Sequence, residues 1–171
     1  TAQLAIQAAL TGHLVFSTIH TNNAVGVIPR LMDMGVDPYL IPPTLALAMA
    51  QRLVRKLCPS GGKSLPVKDS IKLMMEKQFE DLPAEFKKEI PWASEVYEIE
   101  PTPECLTGIS GRMAVVEMFT MDKDLEAAIL KGASESELYK VVRGKGMLSM
   151  KEDAIIKSFE RLVPFEEVNT L

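Results

Sequence analysis

The stretch that decides the fold is TAQLAIQAALTGHLVFSTIHTN, residues 1–22. Its first ten residues space leucines and alanines along one face, which predicts an amphipathic helix that ends near Thr11. Residues 14–19 (LVFSTI) are apolar or β-branched, which is typical of a buried strand in a parallel sheet. A helix joined closely to such a strand indicates an α/β fold.

Helical spacing returns after this stretch and then gives way to less regular segments. Residues 25–35 repeat the apolar spacing of a second helix. Residues 45–58 alternate large and small side chains, and their period does not decide between helix and strand. Residues 59–104 are rich in Lys, Glu, Pro and Ser, with short helical patterns at 71–79 and 84–90. We interpret residues 59–104 as an excursion from the core.

The rest of the chain combines one strand pattern with several helix starts. Residues 111–119 (GRMAVVEMF) have a β-like composition. Two serine-to-glutamate capping boxes follow, which predict helix N-termini. They pair Ser134 with Glu137 and Ser149 with Glu152. We therefore expect a small helical bundle in the C-terminal third, and a chain divided into residues 1–58, 59–104 and 105–171.

Composition narrows the class of protein. The chain has 171 residues, of which 47% are apolar and 25% charged, with a formal net charge of −4. These values are typical of a folded domain, and the negative charge argues against nucleic acid as the main partner. No apolar run has the length of a membrane span and no export signal is present, which favours the cytoplasm. Because Thr1 already belongs to a helical pattern, we expect the sequence to begin inside a larger domain.

Both histidines lie within eight residues: His13 directly precedes the predicted strand and His20 directly follows it. Ligands of α/β sheets bind beyond the carboxyl ends of the strands. There Thr18, His20 and Thr21 would offer donors to phosphate oxygens. The alternative is structural: His13 caps a loop and His20 only satisfies a turn.

Two further motifs are candidates for a phosphate site. The loop of residues 60–64 (SGGKS) resembles the end of a P-loop, but Leu57 stands where its first glycine belongs and no helix pattern follows. We interpret that loop as a coincidence. A basic cluster that includes Arg52 lies at the end of the undecided segment and would meet a phosphate, an acidic neighbour or only solvent.

The two cysteines, Cys58 and Cys105, are too few for a disulfide framework and are expected to be free thiols in a reducing compartment. A structural zinc site commonly uses paired C-x-x-C motifs. At that spacing from the two cysteines stand Gly61 and Thr102. We therefore expect no zinc.

Three segments taken together resemble one known family. They are residues 1–41 (TAQLAIQAALTGHLVFSTIHTNNAVGVIPRLMDMGVDPYLI), 50–59 (AQRLVRKLCP) and 110–119 (SGRMAVVEMF). They are similar to the secretion ATPase superfamily of type II secretion and type IV pilus assembly. The pattern TGHLV-x-ST-x-HTN of residues 11–22 matches the histidine box of that family. The resemblance is dense over residues 1–58 and looser from about residue 105.

The resemblance implies a fold, a chemistry and partners. The fold would be a partial RecA-like parallel sheet layer followed by a helical C-terminal bundle. The parent protein would be a homo-hexamer that hydrolyses ATP with Mg²⁺ and drives a platform protein of the inner membrane from the cytoplasmic side. His20 would approach the terminal phosphates with His13 as its helper, while Thr18, Thr21 and Arg52 would bind nucleotide.

The chain also departs from the family pattern. The P-loop, the catalytic glutamate and the magnesium-binding segment of the family are expected to precede Thr1, so we predict that this piece alone is inactive. Only one cysteine of each family pair is present, which again predicts no zinc. Two alternatives stay open: a non-catalytic module that binds subunits or the platform, and a stand-alone metal-binding or nucleotide-sensing domain.

Overall fold

The computed structural model describes residues 1–59 and 61–171. It contains both helices and strands, which follow one another in groups along the chain. The helices are α1 (Ala2–Leu10), α2 (Val27–Asp33), α3 (Asp69–Gln78), α4 (Ala84–Lys87), α5 (Lys123–Leu130), α6 (Glu135–Arg143), α7 (Met150–Phe159) and α8 (Phe165–Val168), with a 3₁₀ helix at Pro38–Leu40. The strands are β1 (Leu47–Leu57), β2 (Lys63–Pro66), β3 (Glu95–Glu98) and β4 (Ile109–Thr120).

The chain forms two compact units, each built from two separate segments. The first unit comprises Thr1–Ala50 and Glu117–Met147, and the second comprises Gln51–Val116 and Leu148–Leu171. The predicted division into residues 1–58, 59–104 and 105–171 uses other boundaries and stays a prediction.

The first unit has a core of small and branched side chains. Ala24, Val25, Ile28 and Ile41 are fully buried in it, and side chains of α5 and α6 complete the cluster. Helix α1 contributes Ile6 as its one buried residue. This core fixes the start of α2, the element that follows the histidine box.

The second unit contains the segment that we interpret as an excursion. Strands β2 and β3 pair antiparallel, from Lys63 opposite Glu98 to Pro66 opposite Glu95. Phe79, at the end of α3, is buried in this core, where its ring contacts Trp92 edge-on. The described residues of the excursion, 59 and 61–104, therefore pack onto the core of their own unit, and the burial of apolar side chains stabilises this packing.

Most of the segment of residues 45–58, for which the sequence did not decide between helix and strand, forms strand β1. Residues 47–57 are a strand, and β1 pairs with β4 in a two-stranded sheet. The β-like run of residues 111–119 lies within β4, so that prediction is confirmed.

The strand predicted at residues 14–19 is wrong. The segment is extended without regular secondary structure, and the side chains of Leu14 and Phe16 are 83% and 89% exposed. A strand needs a neighbour to satisfy its backbone N–H and C=O groups, and no strand among residues 1–59 and 61–171 pairs with it. The apolar composition of residues 14–19 was therefore not sufficient to form a strand.

Both predicted capping boxes are confirmed. The Ser134 N–H donates to Oε2 of Glu137 at 2.7 Å, and the Glu137 N–H donates to the Ser134 hydroxyl. Ser149 and Glu152 make the same reciprocal pair at the start of α7. Each box satisfies backbone donors that an uncapped helix leaves open.

Helix α5 begins with a third cap that the sequence reading did not include. The Asp122 carboxylate accepts the N–H groups of Asp124 and Leu125, both at 3.0 Å, and also contacts the Lys145 ammonium. These contacts hold the pKa of Asp122 below its ordinary value. The hydrogen bond from the Leu125 N–H contributes most, and the Lys145 ammonium contributes next.

This cap predicts an acid-dependent difference between Asp122→Asn and the unchanged chain. Because folding lowers the pKa of Asp122, its charge stabilises the fold above the unfolded pKa of about 3.9 and stops doing so as the pH falls through the folded pKa. An asparagine keeps the capping oxygen but has no charge to titrate. We expect the variant to have a slightly lower free energy of unfolding than the unchanged chain at pH 7. This difference is expected to disappear as the pH falls below about 4. Urea unfolding at several pH values measures this, and a gap that is constant with pH would contradict it.

The cysteines are not free thiols, contrary to our expectation. Cys58 and Cys105 form a disulfide, with Cα atoms 6.6 Å apart. The expectation rested on compartment chemistry, whereas the second unit brings residues 47 positions apart in sequence into contact. Within the described residues, no group of three or more His, Cys, Asp and Glu side chains is arranged to hold a metal ion.

The loop that resembles a P-loop leads into a strand. Ser60 lies outside the described residues, while Lys63 and Ser64 belong to β2. A phosphate-binding loop of the P-loop type opens a helix, so the interpretation as a coincidence is supported.

Candidate functional site

The first unit contains a cavity of about 290 Å³ at the end of the histidine box. Its walls come from the box itself, from α2 and from the first residue of α6. The lining residues are His20, Thr21, Asn22, Asn23, Gly26, Pro29, Arg30, Asp33 and Glu135.

Local sequence explains how two of the three walls form. His20 ends the extended segment, and a tight turn over residues 22–26 leads into α2. Pro29, Arg30 and Asp33 follow Gly26 by three, four and seven residues, which puts them on one face of a helix. The cavity therefore lies between the end of the box and that face of α2.

Hydrogen bonds hold the turn that follows His20. The Thr21 hydroxyl donates to the Asn23 carbonyl at 2.9 Å, and the Gly26 N–H donates to Oδ1 of Asn23 at 2.7 Å. The Ala24 N–H donates at 2.9 Å to Oε1 of Glu117, a β4 carboxylate that is only 4% exposed. The chain that carries His20 is thus fixed to a strand as well as to itself.

Part of the cavity lining can donate hydrogen bonds to an anionic ligand. The exposed His20 ring, the Asn22 amide and the Arg30 guanidinium all provide hydrogen-bond donors, whereas the single O–H donor of Thr21 is used by the Asn23 carbonyl. Arginine in particular matches the geometry of phosphate oxygens. Two carboxylates, Asp33 and Glu135, lie in the same lining and limit where an anion can sit.

The predicted site residues are distributed unevenly around this cavity. His20 and Thr21 line it together, whereas Thr18 is exposed in the extended segment and outside the described lining. His13 is also exposed, and its Nδ1 lies 3.1 Å from the Thr11 hydroxyl and 3.3 Å from the Ala8 carbonyl at the end of α1. Arg52 is exposed on β1, in the second unit. The functional roles of all five residues stay predictions.

The sequence reading missed several lining residues, for two different reasons. Arg30 and Asp33 follow Gly26 at helical spacing, so the period of α2 was a usable signal for them. Glu135 lies 112 residues from Asn23, its hydrogen-bond partner, and no local pattern connects the two. Only the folded chain brings Glu135 to the cavity.

Comparison with known sequences identifies the family. Residues 1–170 match the family model described as "Type II/IV secretion system protein". The chain is 38% identical over 170 residues to the type II secretion system ATPase E of Vibrio cholerae, covering 98% of this chain and 31% of that protein. It is 37% identical over 174 residues to a type II secretion system protein E of Xanthomonas campestris, covering 98% and 28%. With the type IV pilus assembly ATPase PilB of Thermus thermophilus it shares 35% identity over 169 residues, covering 98% and 18%.

Solved structures agree at the level of the fold. The pilus retraction motor PilT with bound ADP superposes with a TM-score of 0.57 at 18% identity, over 97% of this chain and 34% of that one. The Legionella pneumophila ATPase DotB gives 0.57 at 20% identity, over 99% and 34%. These likenesses confirm the α/β fold class that the resemblance implied.

The family-model match over residues 1–170, together with relatives at 37% and 38% identity, defines the class of protein. The chain belongs to the type II/IV secretion system protein family. It spans less than a third of the length of the type II secretion relatives that it matches.

Proposed function

We propose that this chain supplies the histidine-box part of the ATP site in a longer, hexameric motor that powers type II secretion or type IV pilus assembly. The observation that carries the proposal is the cavity in which His20 and Thr21, from the box, lie beside Arg30. The imidazole of His20 and the guanidinium of Arg30 are suitable donors for the terminal phosphates of ATP.

The exposed apolar segment supports the same proposal. Leu14 and Phe16 belong to a run whose backbone has no strand partner among the described residues. Exposed apolar side chains next to open backbone groups favour pairing with a further strand. In the longer protein, residues 14–19 would join a parallel sheet and so become the buried strand that their composition predicts.

Metal chemistry would come from the rest of the motor. The described residues contain no group of three or more His, Cys, Asp and Glu side chains arranged to hold a metal ion. We propose that the Mg²⁺ of the motor is bound by carboxylates elsewhere in the longer protein. The paired cysteines likewise do not fit a zinc site. On its own, the piece binds phosphate groups weakly and does not hydrolyse ATP.

The setting follows from the family. None of the described helices has the length and apolar character needed to span a bilayer. We propose that the hexamer works at the cytoplasmic side of the inner membrane and is held there by a platform protein. The second candidate function, a non-catalytic module that binds subunits or the platform, uses no residue of the cavity.

The test is His20→Ala in the longer protein. Loss of a preorganised donor to the reacting phosphate lowers kcat by roughly 100-fold, while unfolding of the 171-residue chain stays unchanged because His20 is exposed. Steady-state ATP turnover and thermal unfolding measure the two effects.

The matched control removes another exposed ring of the first unit. Tyr39 lies outside the described lining of the cavity, and Tyr39→Ala is expected to retain the turnover of the unchanged protein. If His20→Ala keeps full activity, the proposed role of the cavity is wrong. The second candidate function, a non-catalytic module that binds subunits or the platform, is then favoured. If it unfolds the chain instead, His20 has the structural role of a turn residue.

A further inference from the structure

The side chain of Asn23 makes two different hydrogen bonds, three residues after His20. Its Oδ1 accepts the Gly26 N–H at 2.7 Å, and its Nδ2 donates to Oε1 of Glu135 at 3.0 Å. Because the amide uses its acceptor in one bond and its donor in the other, a flipped amide would lose both. The side chain therefore has one orientation, and that orientation joins the turn after His20 to the start of α6.

The packing around Gly26 shows how closely these groups meet. A Cβ atom placed on Gly26 would lie 3.0 Å from Oδ1 of Asn23 and 3.6 Å from Oε1 of Glu135. A side chain at this position would push the amide away from the turn. Glycine leaves the room that the two hydrogen bonds of Asn23 need.

The neighbouring residue is anchored on the buried side of the same turn. Ala24 is fully buried, and its N–H donates to the carboxylate of Glu117 on β4. The turn is therefore held from inside by β4 and at the cavity by α6. The Ala24–Glu117 hydrogen bond is buried, whereas the Asn23–Glu135 hydrogen bond is exposed. A movement of α6 would therefore be transmitted to the residues beside His20 through the Asn23–Glu135 contact.

We propose that Asn23 is a positioning residue for His20 and that Glu135 holds it in place. This inference rests on the proposed function of the cavity. The Asn23–Glu135 contact keeps the turn, and with it the imidazole, in the geometry that ATP hydrolysis requires. It also couples the position of α6 to the activity of the site.

The charge of Glu135 and its hydrogen bond to Asn23 have different consequences for the site. A carboxylate in a cavity for phosphate groups repels the ligand, so its charge gives no advantage to nucleotide binding. Its oxygen, in contrast, holds the Asn23 amide. The role of Glu135 is thus the hydrogen bond, and a neutral acceptor of the same shape should replace it.

The experiment compares Glu135→Ala with Glu135→Gln in the longer protein, by steady-state ATP turnover. Glu135→Ala removes the acceptor, and since small displacements of reacting groups are costly, kcat is expected to fall about tenfold with a KM for ATP within about threefold. Glu135→Gln keeps an oxygen for Asn23, so its kcat stays within about twofold and its KM for ATP does not rise. Asn23→Ala is expected to lower kcat at least as much as Glu135→Ala, and the double variant no further than Asn23→Ala alone.

The controls separate positioning from folding. Glu126→Ala removes an exposed first-turn carboxylate from α5, outside the described lining of the cavity, and is expected to leave kcat unchanged. Thermal unfolding of the 171-residue chain carrying each substitution checks that the exposed contact is not needed for folding.

The outcomes distinguish this inference from the proposed function. If His20→Ala loses turnover but Glu135→Ala does not, the positioning role is wrong and the function of the cavity stands. If Glu135→Gln is as slow as Glu135→Ala, the charge matters rather than the hydrogen bond, and the inference is overturned. If His20→Ala itself keeps full turnover, the proposed function fails and the positioning role fails with it.

Discussion

The 171-residue chain alone is expected to hydrolyse ATP at least about 10⁴-fold more slowly than the same chain extended upstream by about 200 residues. Phosphoryl transfer depends on positioned phosphates, bound Mg²⁺ and an oriented nucleophile. The cavity around His20 and Arg30 offers donors to an anion, but no group of three or more His, Cys, Asp and Glu side chains in the described residues is arranged to hold a metal ion. The one loop that resembles a P-loop leads into β2 instead of a helix.

Phosphate release in the presence of Mg²⁺ measures both proteins at equal concentration. Comparable rates would contradict the prediction and would direct attention to the loop before β2. Lys63→Ala in the short chain is then the deciding control, since a catalytic loop loses activity with its lysine whereas a contaminating ATPase does not.

The largest effect on stability is expected from Phe79→Ala, at about 3–5 kcal/mol of unfolding free energy. Phe79 is 1% exposed in the core of the second unit, and its ring lies 5.6 Å from that of Trp92, centroid to centroid. Truncation removes the transfer energy of the ring, leaves a cavity and ends the edge-on contact.

Urea unfolding measures this loss as a lower midpoint with an unchanged slope. Trp92 is the single tryptophan of the chain, so its fluorescence reports directly on the cluster. Leu73→Ala on the same helix is the matched control, because Leu73 is 68% exposed and its loss is expected to cost less than about 0.5 kcal/mol. A Phe79→Ala variant as stable as this control would show that the excursion is not packed as described.

Local sequence was sufficient for several structures that depend on neighbours along the chain. The helix over residues 1–10, the second helix before Gly35 and the two capping boxes all follow from contacts three or four residues apart. The family could be recognised for a similar reason, since the histidine box is a contiguous pattern. The position of Arg30 beside the box was accessible to the same reasoning, although our reading did not draw on it.

Local sequence failed where a structure depends on a distant partner. Residues 14–19 have the composition of a buried strand, yet Leu14 and Phe16 are exposed because a strand forms only beside another strand. Residues 47–57 have no clear strand composition, yet they form β1 because β4 supplies the partner. Composition expresses a preference, and pairing decides whether the preference is realised.

The sequence by itself determined the α/β class, the family, most helices and the choice of His20 and Thr21 as candidate site residues. The tertiary structure alone decided that Cys58 and Cys105 meet and that Glu135 closes the cavity beside Asn23. The physical reason is the range of the interactions. Helix caps and periodic faces are set within one or two turns, whereas a disulfide over 47 residues and a hydrogen bond over 112 exist only after hydrophobic burial has brought the segments together.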